Sequence, residues 1–149
     1  MSPAGGGEPP PPIHGVLETG LHVADLARSR EFYSRLFGFP LMAADERFCA
    51  FDVAGRDVLL LFLKGGTPGA VKTPGGLIPP HDGAGRLHFA FAIAAEDLLP
   101  WEARLAAQGI EIESRVDWPR GRSIYFRDPD GHLLELATPG LWPNYQSTT

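Results

Sequence analysis

The most restrictive feature of this sequence is a repeated order of secondary-structure signals. A strand pattern, an acidic residue, a helical pattern, a glycine and three further strand patterns occur twice along the chain. Asp25 and Asp97 are 72 positions apart, and Gly38 and Gly109 are 71 positions apart. A period of this kind indicates one supersecondary unit that is used twice. The sequence therefore predicts an α+β fold of two βαβββ modules, each with an acidic helix cap and a glycine stop.

Composition divides the chain into a folded region and its flanks. The Gly- and Pro-rich start has no apolar pattern and predicts disorder. A single domain is expected over residues 13–140. The predicted segments are a disordered tail (1–12), module one (about 13–64), a Gly/Pro loop (65–85), module two (about 86–138) and a C-terminal tail (141–149). The long loop carries His81 and Asp82 and is typical of either a lid at a binding site or a linker.

Length and charge exclude several classes of function. The chain has 149 residues and 44% hydrophobic content, enough for one core. The net charge is −5 without a basic stripe, so no nucleic-acid partner is expected. The apolar runs are strand-sized and the start lacks a signal pattern, so we expect a cytoplasmic protein with no membrane partner. The single cysteine, Cys49, lies in an apolar run and predicts a buried thiol.

The last hairpin contains a residue that needs an explanation. Ser123–Arg127 and Leu133–Ala137 have strand patterns, and Asp128-Pro129-Asp130-Gly131 between them is turn chemistry. Glu135 lies in the middle of the apolar return strand. A carboxylate that faces the interior needs a cationic partner, whereas one that faces outward is an ordinary solvated residue. The hairpin alone leaves both interpretations open.

Three polar residues are candidates for one site. Glu18 and His22 share a side of the first strand, because side chains alternate with period two. His88 is 70 positions after Glu18, at the equivalent place in module two. With Glu135, two carboxylates and one imidazole suit a divalent cation such as Zn, Ni, Mn, Co or Fe. The alternative is a hydrogen-bonded core histidine with solvated glutamates.

Three stretches of the chain resemble the vicinal oxygen chelate superfamily, which includes glyoxalase I, fosfomycin-resistance and bleomycin-resistance proteins and extradiol dioxygenases. These stretches are Leu21–Phe39, Leu87–Ile93 and Tyr125–Leu136. The resemblance implies two modules that form a cup-shaped mixed β-sheet around a divalent metal. It also implies His88 and Glu135 as metal ligands.

The same resemblance assigns roles to further positions. It puts Glu18 at the first-module ligand position, where many members have histidine. It implies substrate contacts for His22 and Tyr125. Leu60 lies where glyoxalase I-like members have a further glutamate ligand. A homodimer is also implied, with the modules paired within or across chains.

We therefore expect a metal-dependent, glyoxalase-like lyase or isomerase. Its small-molecule substrate would chelate the metal through two adjacent oxygens, and Glu18 would also be the catalytic base. One alternative is a metal-free drug-binding protein of the bleomycin-resistance kind, with a groove lined by Trp101, Trp118, Trp142 and Phe62. Another is a ring-cleaving extradiol dioxygenase, which is less favoured because the site has one histidine rather than two.

Overall fold

A computed structural model describes residues 7–66 and 69–146 and contains both predicted modules. Predicted tail residues 1–6 and 147–149 and loop residues 67 and 68 lie outside the described residues. Module one consists of β1 (Glu18–Val23), α1 (Leu26–Phe37), β2 (Leu41–Ala44), β3 (Phe48–Val53) and β4 (Asp57–Leu63). The connecting loop contains β5 (Val71–Thr73) and β6 (Gly76–Ile78). Module two consists of β7 (His88–Ala92), a 3₁₀ turn (Ala95–Asp97), α2 (Leu98–Ala107), β8 (Ser114–Trp118), β9 (Gly121–Arg127) and β10 (Leu133–Ala137).

The two modules have the same sheet topology. Module one has the strand order β1-β4-β3-β2, and module two has the order β7-β10-β9-β8. In each sheet the first strand runs parallel to the last, while the remaining pairs are antiparallel. The predicted α+β fold of two βαβββ modules is confirmed. Each sheet has its first strand, β1 or β7, at one edge.

The ends of α1 agree with the sequence patterns, whereas the start of α2 does not. The Asp25 side chain accepts a hydrogen bond from the backbone N–H of Arg28, and Gly38 ends α1 in the left-handed conformation at φ 70°. Asp97, predicted to be the second acidic cap, makes no side-chain capping bond. It closes the preceding 3₁₀ turn with helical backbone angles, φ −94° and ψ −1°. Asp97 therefore lacks the extended backbone conformation in which an N-cap carboxylate reaches the first N–H groups of the helix.

Two predicted segments differ from the structure. The predicted strand over Ile110–Val116 is shifted, because β8 begins at Ser114 and continues to Trp118. Ile110 and Ile112 instead pack against the core from the connection after α2. The loop, predicted without regular structure, forms the β5–β6 hairpin around Pro74 and Gly75. No helix within the described ranges is long and apolar enough to cross a membrane.

One apolar core joins the modules. Phe37, at the end of α1, packs with ring centroids 5.0 Å from Phe39, 4.8 Å from Phe91 and 5.7 Å from Trp101. Aromatic rings at these separations gain stabilisation beyond the area that they bury. Cys49 is fully buried, as predicted. The helix of module one therefore packs directly on the first strand and helix of module two.

A buried polar network also connects the modules, at the turn between β9 and β10. Asp128 Oδ2 accepts a 2.8 Å hydrogen bond from the Tyr33 hydroxyl of α1. Asp130 Oδ1 accepts a 2.8 Å bond from the backbone N–H of Ala24, and its Oδ2 accepts from Ser29 Oγ at 3.1 Å. We call this turn, Asp128–His132, the inter-module clamp. It orients β10 relative to β1 and α1.

Replacing Tyr33 with Phe should test the clamp. The variant removes a buried donor to a carboxylate and should lower the free energy of unfolding by about 1.5–3 kcal/mol, measured by urea denaturation. Tyr145→Phe is a matched control, because its hydroxyl donates to the uncharged Ile93 carbonyl and is less buried. Its loss should be about 1 kcal/mol. Equal losses in the two variants would contradict the role given to Asp128.

Candidate functional site

Glu135 faces inward and meets an imidazole. β10 pairs with β7 so that Leu133 is opposite His88 and Glu135 is opposite Ala90. Glu135 is 5% exposed, and its Oε1 lies 3.2 Å from His88 Nε2. The small side chain of Ala90 leaves space beside the carboxylate. Of the two interpretations of Glu135, the structure supports the buried carboxylate with a partner.

The backbone fixes the tautomer of His88. Its Nδ1 lies 2.9 Å from the carbonyl oxygen of Leu133. A carbonyl oxygen only accepts, so Nδ1 carries the proton and donates. In the neutral ring, Nε2 then carries no proton, and its lone pair is directed at the lone pairs of Glu135 Oε1. Two acceptors at 3.2 Å repel each other unless a cation, a proton or a metal ion, lies between them.

The other oxygen of Glu135 has a protein donor. Ser123 Oγ donates to Glu135 Oε2, and Ser123 itself is 1% exposed. The Trp118 indole N–H donates to Ser123 Oγ at 2.9 Å. The sequence interpretation assigned no role to Ser123 and considered Trp118 only for a drug-binding groove. Side chains alternate along β9, so Ser123 lies on the same side as Tyr125, and this pattern could have identified Ser123. Trp118 could not be placed beside it, because the predicted strand ended at Val116.

Tyr125 borders the same site. It lies opposite Glu135 in the β9–β10 register, and its ring centroid is 6.3 Å from that of His88. Burial, followed by the negative charge of Glu135, raises the pKa of the Tyr125 hydroxyl. The hydroxyl therefore stays protonated at neutral pH, and it lies close enough to Ser123 and Glu135 for hydrogen bonds with them to affect its pKa. The substrate contact expected of Tyr125 from the sequence stays a prediction.

Glu18 does not join His88 and Glu135 within one chain. It is exposed on β1, in the sheet of module one, where it pairs with Val58. Over residues 7–66 and 69–146, no three His, Cys, Asp or Glu side chains lie close enough to hold a metal ion. The structure therefore brings together two of the three predicted ligands.

His22 is enclosed by the connecting loop. It is 8% exposed, stacks on Phe62 with ring centroids 5.6 Å apart and contacts His81 edge-on at 5.4 Å. A Cβ added at Gly83 would lie 2.5 Å from His22 Nδ1, so the loop approaches this closely only as glycine. His22 Nε2 is buried without a hydrogen-bond partner among the described residues.

Within the described residues of one chain, the four aromatic side chains expected to line a drug-binding groove do not share one surface. Trp118 bonds to Ser123, Phe62 stacks on His22, and Trp142 is 64% exposed. Only Trp101 of that set borders the apolar cavity of about 420 Å³ between the modules. A sequence pattern carries no information on which aromatic residues share a surface.

The fold and the site together put this chain in a class of small α+β proteins that consist of two paired βαβββ modules. The chain belongs to the Glyoxalase/Bleomycin resistance protein/Dioxygenase superfamily, whose family model matches residues 15–136. The resemblance noted from the sequence is thereby confirmed.

The chain is similar to proteins with different activities. It is 31% identical over 137 residues to metallothiol transferase FosB of Bacillus licheniformis, covering 90% of this chain and 81% of that protein. A lactoylglutathione lyase structure from Agrobacterium tumefaciens has a TM-score of 0.81 and 29% identity, covering 89% of this chain and 99% of that one. Fosfomycin resistance protein FosX from Listeria monocytogenes, complexed with Mn(II) and sulfate, has a TM-score of 0.64 and 25% identity, covering 87% and 93%. These relatives support a metal-dependent enzyme that acts on a small molecule, without deciding the reaction type.

His22 should make the stability of the protein depend on pH. Burial, followed by the positive charge of protonated His81, lowers the pKa of His22. The folded state therefore binds fewer protons than the unfolded state, and stability decreases as the pH falls below about 6.5. His22→Phe should flatten the dependence of the unfolding free energy on pH between 7.5 and 5. The exposed His14→Phe is the control. A dependence unchanged by His22→Phe would exclude this origin.

Proposed function

We propose that the protein is a metal-dependent enzyme whose ion is held by His88, Glu135 and, from a second copy of the chain, Glu18. The observation that carries the proposal is the 3.2 Å separation between His88 Nε2 and Glu135 Oε1, with His88 Nδ1 committed to a carbonyl. A neutral imidazole nitrogen and a carboxylate oxygen are the donors that Zn, Mn, Fe, Co and Ni accept in proteins. The residues present therefore fit the group that the superfamily implies.

The surroundings of the pair favour catalysis over a purely structural ion. The His88 side chain is 52% exposed, whereas Glu135 is buried, so the pair opens to solvent on one side. A structural metal site is closed by four protein ligands, whereas a catalytic site keeps a position open. Tyr125 lies at this opening with a protonated hydroxyl. A small substrate entering here meets the ligand pair and this donor together.

The chemistry proposed is proton transfer next to a carbonyl, as in a glyoxalase-like lyase or isomerase. Glu18 accepts a proton from the carbon adjacent to the carbonyl and returns it to the neighbouring atom, so that no oxidant is consumed. Tyr125 donates a hydrogen bond to a substrate oxygen. A bound metal supplies Lewis-acid stabilisation of the negative charge that develops on the substrate oxygens. His22 contacts the far end of the substrate, where the loop over it has to shift.

The similarity to FosB favours a second candidate, transfer of a thiol to a small electrophile. The position of Tyr125 beside His88 supports thiol transfer, because the sequence resemblance implies a substrate contact for this tyrosine. The charge that the structure places beside His88 is that of Glu135, and Glu18 from a second copy would add a second negative charge. These charges do not favour an anionic substrate. Parallel assays with a thiol plus fosfomycin, and with a thiol plus an α-ketoaldehyde, distinguish the two candidates.

A homodimer is part of the proposal. β1 and β7 are edge strands of separate sheets, and an unpaired edge is a template for another strand. Val16 and Leu17, just before β1, are 77% and 68% exposed and border the apolar cavity between the modules. Exposed apolar surface next to an open edge supports coverage by a second copy, which would carry its Glu18 toward His88 and Glu135.

Glu135→Gln should lose the metal. The variant keeps the shape of the side chain but removes its charge, and the metal content after dialysis against Mn²⁺ or Zn²⁺ should fall at least about tenfold. Elemental analysis of the purified protein measures this. Glu31→Gln is a matched control, because Glu31 is exposed and pairs with Arg35 on the surface of α1. Stoichiometric metal in Glu135→Gln would mean that the site is wrong.

Mixing two inactive variants should restore part of the metal binding. Glu18→Gln and Glu135→Gln each damage one half of a shared site, so a mixed dimer has one intact site and one doubly altered site. Random exchange of subunits should then restore about a quarter of the wild-type sites. Metal content after co-refolding, with each variant refolded alone as the control, measures this. No restoration, in protein that sediments as a dimer, would show that Glu18 does not act across the interface.

A further inference from the structure

A chain of two hydrogen bonds leads from a partly exposed indole to the buried carboxylate of the ligand pair. Trp118 Nε1 lies 2.9 Å from Ser123 Oγ, and Ser123 Oγ lies 2.5 Å from Glu135 Oε2. Trp118 is 38% exposed, Ser123 is 1% exposed and Glu135 is 5% exposed. The three residues come from three successive strands of one sheet, β8, β9 and β10. The sheet itself therefore determines the spacing of this relay.

The direction of both hydrogen bonds is determined by chemistry. An indole N–H only donates, so the Ser123 oxygen accepts from Trp118. The serine hydroxyl has a single proton, and with its oxygen engaged by the indole that proton is directed at Glu135. Without Trp118, the same hydroxyl could turn to another acceptor. The indole therefore makes Ser123 a committed donor to one carboxylate oxygen.

The two oxygens of Glu135 are thereby made unequal. Oε2 is held by Ser123, and Oε1 faces His88 Nε2 at 3.2 Å. We propose that Trp118 and Ser123 are positioning residues that make Glu135 a one-oxygen ligand of the metal, an inference that rests on the proposed function. Binding through one oxygen preserves open positions for substrate. A carboxylate that bound the metal through both oxygens would occupy one of these open coordination positions.

A purely structural role makes a different prediction. If the relay only satisfies buried polar groups, its loss lowers stability and leaves metal coordination unchanged. If the relay positions the ligand, its loss changes affinity and coordination geometry even in a folded protein. Groups that orient metal ligands typically contribute about 10- to 100-fold in affinity. The two roles therefore separate by spectroscopy rather than by activity.

Trp118→Phe with Co²⁺ as the probe metal tests the proposal. The variant removes the N–H at a partly exposed ring, so the fold is retained, and Trp142→Phe at an exposed position is the matched control. Trp118→Phe should weaken Co²⁺ binding by about tenfold or more. The visible absorption of bound Co²⁺ should weaken as well, because the released carboxylate adds a second oxygen to the ion. Ser123→Ala should reproduce both changes.

The outcomes separate the inference from the function on which it rests. Wild-type affinity and an unchanged Co²⁺ spectrum in folded Trp118→Phe and Ser123→Ala would overturn the inference alone. Failure of the wild-type protein to bind Co²⁺, Mn²⁺ or Zn²⁺ would overturn the proposed function, and the inference with it. A stability loss without a spectral change would assign the relay to the structural role and also overturn the inference.

Discussion

The buried carboxylate of Asp128 is the interaction on which the arrangement of the modules depends. It accepts from the Tyr33 hydroxyl through one oxygen and from the backbone N–H groups of Asp130 and His132 through the other. A carboxylate that is 5% exposed is tolerated only when its lone pairs are satisfied in this way. Burial of Tyr33, followed by the negative charge of Asp128, raises the pKa of the Tyr33 hydroxyl well above its ordinary value, so the hydroxyl remains a donor.

The same turn reaches both halves of the candidate site. The ring of His132 is fully buried, accepts from the backbone N–H of Leu87 at Nδ1 and donates to the carbonyl of His22 at Nε2, each at 2.9 Å. Leu87 directly precedes His88, and His22 lies on the same side of β1 as Glu18. One imidazole therefore fixes the start of the strand that carries His88 relative to the strand that carries Glu18 and His22.

The sequence predicted the parts of the structure that depend on local pattern. The repeat predicted both modules, and period-two alternation with the resemblance brought His88 and Glu135 together as a candidate pair. Whether Glu135 faces a partner could not be decided from one strand, because that depends on the register with β7. The loop hairpin, the limits of β8 and the Trp118–Ser123 relay depend on pairings between strands. The separation of Glu18 from His88 depends on how the two sheets are arranged, and strand patterns carry no information about that arrangement.

The clamp also constrains the order in which the chain can acquire its structure. Its hydrogen bonds join residues 106 positions apart at Ala24 and Asp130, and 110 positions apart at His22 and His132. Contacts so distant in sequence form only after a long loop has been closed. During synthesis from the N-terminus, Tyr33 and Ser29 therefore cannot form their hydrogen bonds to Asp128 and Asp130 until the last hairpin has left the ribosome. A nascent chain that stops before Asp128 carries a module whose interior polar groups have no partners, and such a species is a natural substrate for chaperones and proteases.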